Sequence, residues 1–251
     1  MKTKRYNIKG SSVSGITMKD PHLPEENNLA LHACLDSAAV LENRETLATS
    51  LGYSTTDFVY ANQTHSSNFH KVTHADIGRG ATEQATAIPD TDALYTTEIG
   101  IVLAGFMADC VPVLLSNERA GIVGVIHSGW QGTVKEITTN LLKHLIEQER
   151  CLPVEFEVVI GPALSQDKFE VDHDVYDKFH VLGYAEPWIS FNAKTGKYHI
   201  DNQKVVKTQC ELAGIPTANI TINPICTFQS DDGFSYRQDK QAGRHMAFIC
   251  R

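Results

Sequence analysis

The stretch IVLAGFMADCVPVLLSNERAGIVGVIHSGWQG, residues 101–132, decides the fold class. Residues 101–107 are apolar throughout, as in a strand buried on both faces. The run breaks at Asp109-Cys110, and a second apolar run covers 111–116. Asn117-Glu118-Arg119-Ala120-Gly121 has turn composition, and a third strand follows at 122–127. The chain then passes through Gly129 and Gly132 into a helical pattern. Val134, Ile137, Leu141, Leu142, Leu145 and Ile146 repeat at intervals of three and four, which predicts one long amphipathic helix.

Outward from this segment the elements continue to alternate. Strands are predicted at 57–63, 69–73, 92–97, 156–160, 220–222 and 246–250. A helix is predicted over 201–213, with Asp201 as N-cap and Gly214 as its stop. No repeat, low-complexity tract or linker divides the chain, so residues 1–251 read as one domain of α/β or α+β class. A chain of 251 residues buries enough surface to fold without disulfides or a structural metal.

Composition narrows the function. Apolar residues make up 42% and charged residues 21%, the proportions of a globular protein. A net charge of −8 argues against a broad nucleic-acid or anionic-membrane surface and leaves room for a local basic pocket. The longest uncharged apolar stretch, 100–108, falls far short of the roughly 20 residues that span a bilayer. The basic start at 1–5 has no hydrophobic segment behind it, unlike a signal peptide. The six cysteines form no CxxC pair, so they are expected to be free thiols in a cytoplasmic protein.

The common catalytic signatures GxxxxGK[ST], GxGxxG, HExxH and GxSxG are missing, as is the HxE…PCxxC pattern of zinc deaminases. What remains is a set of three soft or borderline metal ligands, each at a strand terminus: His65, Cys110 and His127. Singly, each has a bland reading: a hydrogen-bonded histidine, a small buried thiol and a tight glycine turn. Together they form a His/Cys/His set, and three protein ligands with one position left for substrate is the catalytic zinc pattern. Cys110 with His127 also fits a thiolate nucleophile and its base, and spacing alone does not choose between the two. Near the C-terminus, 232–244 is locally basic and contains Arg237 and Arg244. That segment reads as a solvated loop or as a cationic wall for an anionic substrate.

These residues carry a family resemblance. Gln63–His65, Ala108–Pro112, His127–Gly132, Ile160-Gly161-Pro162 with Glu170-Val171, Cys226-Thr227, Phe234–Arg237, Gly243-Arg244 and Glu42-Asn43-Arg44 follow one another as in the laccase-domain proteins. That family is also labelled polyphenol oxidase and has been reassigned as purine nucleoside phosphorylases. The resemblance runs from about residue 11 to the C-terminus. It implies a compact α/β fold of layered mixed β-sheets flanked by helices, similar to the putative cysteine hydrolase-like fold. It implies zinc on His65, Cys110 and His127, with copper as the other candidate metal. It implies phosphorolysis of adenosine, inosine and methylthioadenosine, with adenosine deamination as a further activity.

Under that reading Cys110 and His127 are catalytic, and Arg44, Arg237 and Arg244 orient phosphate. Gln63 and Asp109 would support the ligands from either side. The chain departs from the family where Gln131 and Gln238 replace arginines. The competing readings are a metal-free cysteine hydrolase or deamidase using Cys110 and His127, a metal-holding interaction module, and a copper polyphenol oxidase. The absence of any His-x-His pair weighs against the last.

Overall fold

In the computed structural model, which describes residues 1–251, the apolar runs around residue 110 become the centres of two stacked sheets. Val102–Met107 alternates sides with the period of a strand: Val102, Ala104 and Phe106 face outward to one core, Leu103 and Met107 inward to another. This strand lies in a five-stranded sheet ordered Thr3–Arg5, Val13–Thr17, His245–Cys250, Val102–Met107, Phe58–Tyr60. The hairpin Val111–Asn117 with Ile122–Ser128 lies at the middle of a six-stranded sheet. Phe156–Ile160 and Ile220–Ile222 extend that sheet on one side, Ala93–Thr96 and Phe69–Lys71 on the other. Both sheets mix parallel and antiparallel pairs.

Three cores set the layer order. Leu103, Val59 and Ile249 of the first sheet meet Leu114, Val125 and Val159 of the second. The far face of the six-stranded sheet packs on Ile137–Glu147 and Asn202–Leu212, through Leu141, Leu142, Val206 and Cys210. The far face of the five-stranded sheet packs on Ser37–Leu51, through Leu47 and Ala48. The result is a helix–sheet–sheet–helix α/β stack, as the sequence implies. A small three-stranded sheet and helix His173–His180 form a satellite core around Phe179. No helix is long and apolar enough to cross a membrane.

The expected long helix from 134 is corrected. The chain makes a short helix, Trp130–Val134, and then breaks. Glu136 takes a left-handed φ of 57° before Ile137–Glu147 begins. The apolar stripe continues across the break, which is why periodicity alone reads it as one element. The 201–213 helix appears as Asn202–Leu212, with the Asp201 carboxylate accepting from Lys204 N as its N-cap.

Candidate metal centre

Three segments bring one ligand each to the same end of the two sheets. His65 follows the Phe58–Tyr60 strand in a loop and itself has a left-handed φ of 58°. Cys110 lies in the three-residue passage between Val102–Met107 and Val111–Asn117, after Asp109 at φ 83°. His127 is the penultimate residue of its strand and is 5% exposed. The ligand atoms of all three lie within 4.8 Å of one another. Cys110 Sγ is 3.7 Å from His65 Nε2, close to the roughly 3.6 Å that tetrahedral zinc imposes on a sulfur and a nitrogen ligand. The group is therefore able to hold a metal.

Gly129 makes this approach feasible. A Cβ placed there would sit 2.6 Å from His65 Cδ2 and 2.9 Å from Cys110 Sγ. Any side chain at 129 would push two of the three ligands apart.

Asp92 organises the cluster. His127 Nδ1 donates to Asp92 Oδ1 at 2.8 Å, so its Nε2 is left for a metal. The same carboxylate accepts from the backbone N–H groups of Thr64, His65 and Ser66, and from the Ser66 hydroxyl at 2.7 Å. One buried carboxylate thus fixes the tautomer of one ligand and the loop of another. Burial would raise Asp92, but the hydrogen bond and charge of His127, with the Ser66 contacts, outweigh it and bring it down to about 2. Burial would also raise the Cys110 thiol; the His127 charge and hydrogen bonds from His127 and His65 bring it down to about 6. Burial would lower His127, yet Cys110 and Asp92 together lift it to about 9.

Two expected supporting residues do other work. Gln63 does not reach a ligand: its amide pairs with both the N–H and the C=O of Phe106, at 2.8 Å each, and ties its loop to the Val102–Met107 strand. The Asp109 carboxylate accepts from Thr227 Oγ1 and Arg237 N, both at 2.7 Å, and so anchors the C-terminal loop. The sequence reading missed Asp92. Its only signal is an acidic residue opening a fully buried strand, Ala93–Thr96.

The three candidate arginines separate. Arg237 lines a cavity of about 280 Å³ beside the cluster, together with Trp130, Leu164 and Phe169. Its Nη1 donates to Lys168 O and Glu170 O. Arg244 lines a second cavity, of about 390 Å³, which shares His65, Ala108, Cys110 and Tyr236 with the first. The expectation that Arg44 holds phosphate is corrected. Arg44 is 1% exposed and lines neither cavity. Its Nε donates to Leu29 O and its Nη1 to Gly80 O and Ala81 O, while the guanidinium stacks on Tyr60 at 4.1 Å. It is a structural residue that stitches loops to the Ser37–Leu51 helix. Gln131 and Gln238 are exposed and line neither cavity.

Residues 14–251 match the family described as multi-copper polyphenol oxidoreductase laccase. The chain belongs to that family. Among its laccase-family relatives, purine nucleoside phosphorylase YlmD of Bacillus subtilis is 33% identical over 243 residues, covering 94% of this chain and 87% of the relative. Adenosine deaminase RL5, from an unknown prokaryote, is 34% identical over 201 residues, with 80% and 76% covered. The crystal structure of YlmD from Geobacillus stearothermophilus superposes with a TM-score of 0.92 at 32% identity, covering 100% of this chain and 96% of that one. The laccase-family fold expected from the motifs is the fold observed.

Proposed function

We propose that the protein is a zinc-dependent purine nucleoside phosphorylase, which cleaves adenosine, inosine and methylthioadenosine with phosphate to free base and ribose 1-phosphate. Adenosine deamination is its second activity in this reading. The observation that carries it is the Asp92-oriented His65/Cys110/His127 cluster, which borders two cavities. The names of the relatives support the substrate class. Zinc is favoured over copper by the ligand set: one cluster of three donors is too small for a multicopper centre. Bound zinc supplies a Lewis acid for developing negative charge.

The chain's own residues do the rest. Asp92 holds His127 in one tautomer, and Cys110 serves as a thiolate. Trp130, Leu164 and Phe169 form an apolar wall suited to a purine, with Arg237 at its edge. Arg244 presents a cation in the second cavity. Residues 1–251 act as one catalytic domain in this account, supported by the core shared between the two sheets. Six unpaired cysteines support a reducing compartment, the cytoplasm.

A second reading rests on one geometric fact. Asp92, His127 and Cys110 are also in line as carboxylate, imidazole and thiol, the order of a cysteine hydrolase or deamidase. Product analysis decides. Inosine and phosphate with the zinc-loaded protein should yield hypoxanthine and ribose 1-phosphate. Ammonia released from adenosine or from amide substrates by chelated protein, with no base release, would favour the dyad.

A further inference from the structure

The two cavities beside the cluster differ in charge. The Trp130 side is largely apolar and carries one charge of each sign, Asp109 and Arg237. The other side has Arg244 and the three imidazoles of His32, His65 and His127 on its walls and no carboxylate at all. We propose that inorganic phosphate binds in this second cavity, held by Arg244 and by His32, a residue that belongs to none of the sequence motifs. The proposal rests on the phosphorylase reading and assigns the two halves of the reaction to the two cavities that border the cluster, with the base on the Trp130 side.

Arg244 is half-buried and pairs with no carboxylate. Its Nη1 donates to the carbonyls of Ala242 and Gly243 in its own turn, which fixes the head without neutralising it. The remaining guanidinium edge is free for a charge-assisted, bidentate contact. His32 stands edge-on to Phe106 at 5.6 Å and borders both this cavity and a wider outer one. Arg244 borders the same two cavities. Burial and the charges of Arg244, Arg44 and His127 hold the His32 imidazole well below its usual value, down to about 4. It is therefore a neutral donor at pH 7, in a field of positive charge suited to an anion.

The frame behind the two residues is built for position. Asn28 Oδ1 accepts from both Arg244 N, at 2.9 Å, and Ala30 N, at 3.0 Å. One buried amide thus ties the arginine to the loop that carries His32. Gly243 permits this approach, because a Cβ there would lie 2.7 Å from Asn28 Cβ. Asn43 Nδ2 holds Pro24 O and Asn28 O from below, and Arg44 holds Leu29 O. The Glu42-Asn43-Arg44 motif serves the phosphate site at one remove, by fixing this loop. The outer cavity does contain acidic residues, Glu25, Glu26 and Asp239, but they are engaged. Glu25 accepts from Leu35 N and Asp36 N, Glu26 pairs with Lys19 at 3.1 Å, and Asp239 accepts from Gln241 N at 2.9 Å.

The test is steady-state phosphorolysis of inosine by the zinc-loaded full chain at varied phosphate. His32→Ala should raise the phosphate KM about tenfold, as for loss of one hydrogen bond to a charged group. The inosine KM and zinc content should stay at wild-type values. His32→Gln, which keeps an N–H donor, should recover part of the loss. Arg244→Met should raise the phosphate KM roughly ten- to a hundred-fold. An unchanged phosphate KM in both variants, or a shift in inosine KM instead, would overturn the assignment. Base release that ignores phosphate would sink the phosphorylase reading, and calorimetric titration with inorganic phosphate then judges the site alone. Binding by wild type and none by the His32→Ala/Arg244→Met double variant supports it; no binding by wild type refutes it.

Discussion

Asp92 shows how much a single side chain does here. It touches one ligand directly and holds the loop of a second through three backbone N–H groups. Asp92→Asn keeps the shape but removes the charge, and one of its two amide ends must present N–H groups where the site needs an acceptor. Loss of such a partner typically costs about 10- to 100-fold in metal affinity. The variant should therefore bind zinc that much more weakly in a competition titration with a chromogenic chelator, while its far-UV dichroism matches wild type. The His65, Cys110 and His127 that come together in the cluster were legible in the sequence because each sits in a short motif, where local pattern suffices. Asp92 was not, because its role depends on a partner 35 residues away across a sheet. Arg44 was misread for a related reason. A motif arginine carries the same letter whether its guanidinium meets phosphate or three buried carbonyls.

At the scale of elements, that same arginine explains a gap in the sequence reading. The helix Ser37–Leu51 points Asn43 and Arg44 into the protein, so the apolar stripe of Val40, Leu47 and Ala48 on its inner face is interrupted. Edge strand Thr3–Arg5 is too polar and short to announce itself. The structural role of Arg44 leads to a measurable expectation. Arg44→Ala would strand three buried carbonyls at about 1–3 kcal/mol each, so a loss of at least about 3 kcal/mol is expected. For a chain of this size that lowers Tm by roughly 6–12 °C. Differential scanning calorimetry of the zinc-loaded variant checks it; an unchanged Tm would mean the guanidinium is not structural.

His245 offers a second test at this scale. It is fully buried at the start of strand His245–Cys250. Its Nδ1 donates to Thr17 O at 2.8 Å and its Nε2 accepts from Phe234 N at 2.7 Å. Both bonds require the neutral ring, and burial pushes the group from 6.5 down to about 4, against a smaller opposing effect of the Thr17 bond. Because the folded value lies below the unfolded one, this contribution is complete above about pH 6.5 and is lost as pH falls towards 4, amounting to about 3 kcal/mol. His245→Gln should flatten the acid limb of the stability profile in urea titrations between pH 7 and 4; an identical slope would show that other groups dominate.

The whole molecule owes its stability to its layers and its chemistry to the seam where the sheet ends meet. Two sheets share one core, helices cover the outer faces, and the cluster lies at the strand termini. The sequence revealed the inner layers because their strands are apolar on both faces. It revealed less of the satellite sheet around Lys197–Ile200, whose residues are largely half-exposed. A core of this extent does not depend on a metal, so chelation should abolish turnover and leave the far-UV dichroism near its starting value. The most direct measurement is elemental analysis of freshly purified protein, wild type beside Cys110→Ser. The account predicts one zinc per chain in wild type and a near-complete loss in the variant. Full zinc occupancy in Cys110→Ser, or wild-type protein that turns over nucleosides without any metal, would contradict it.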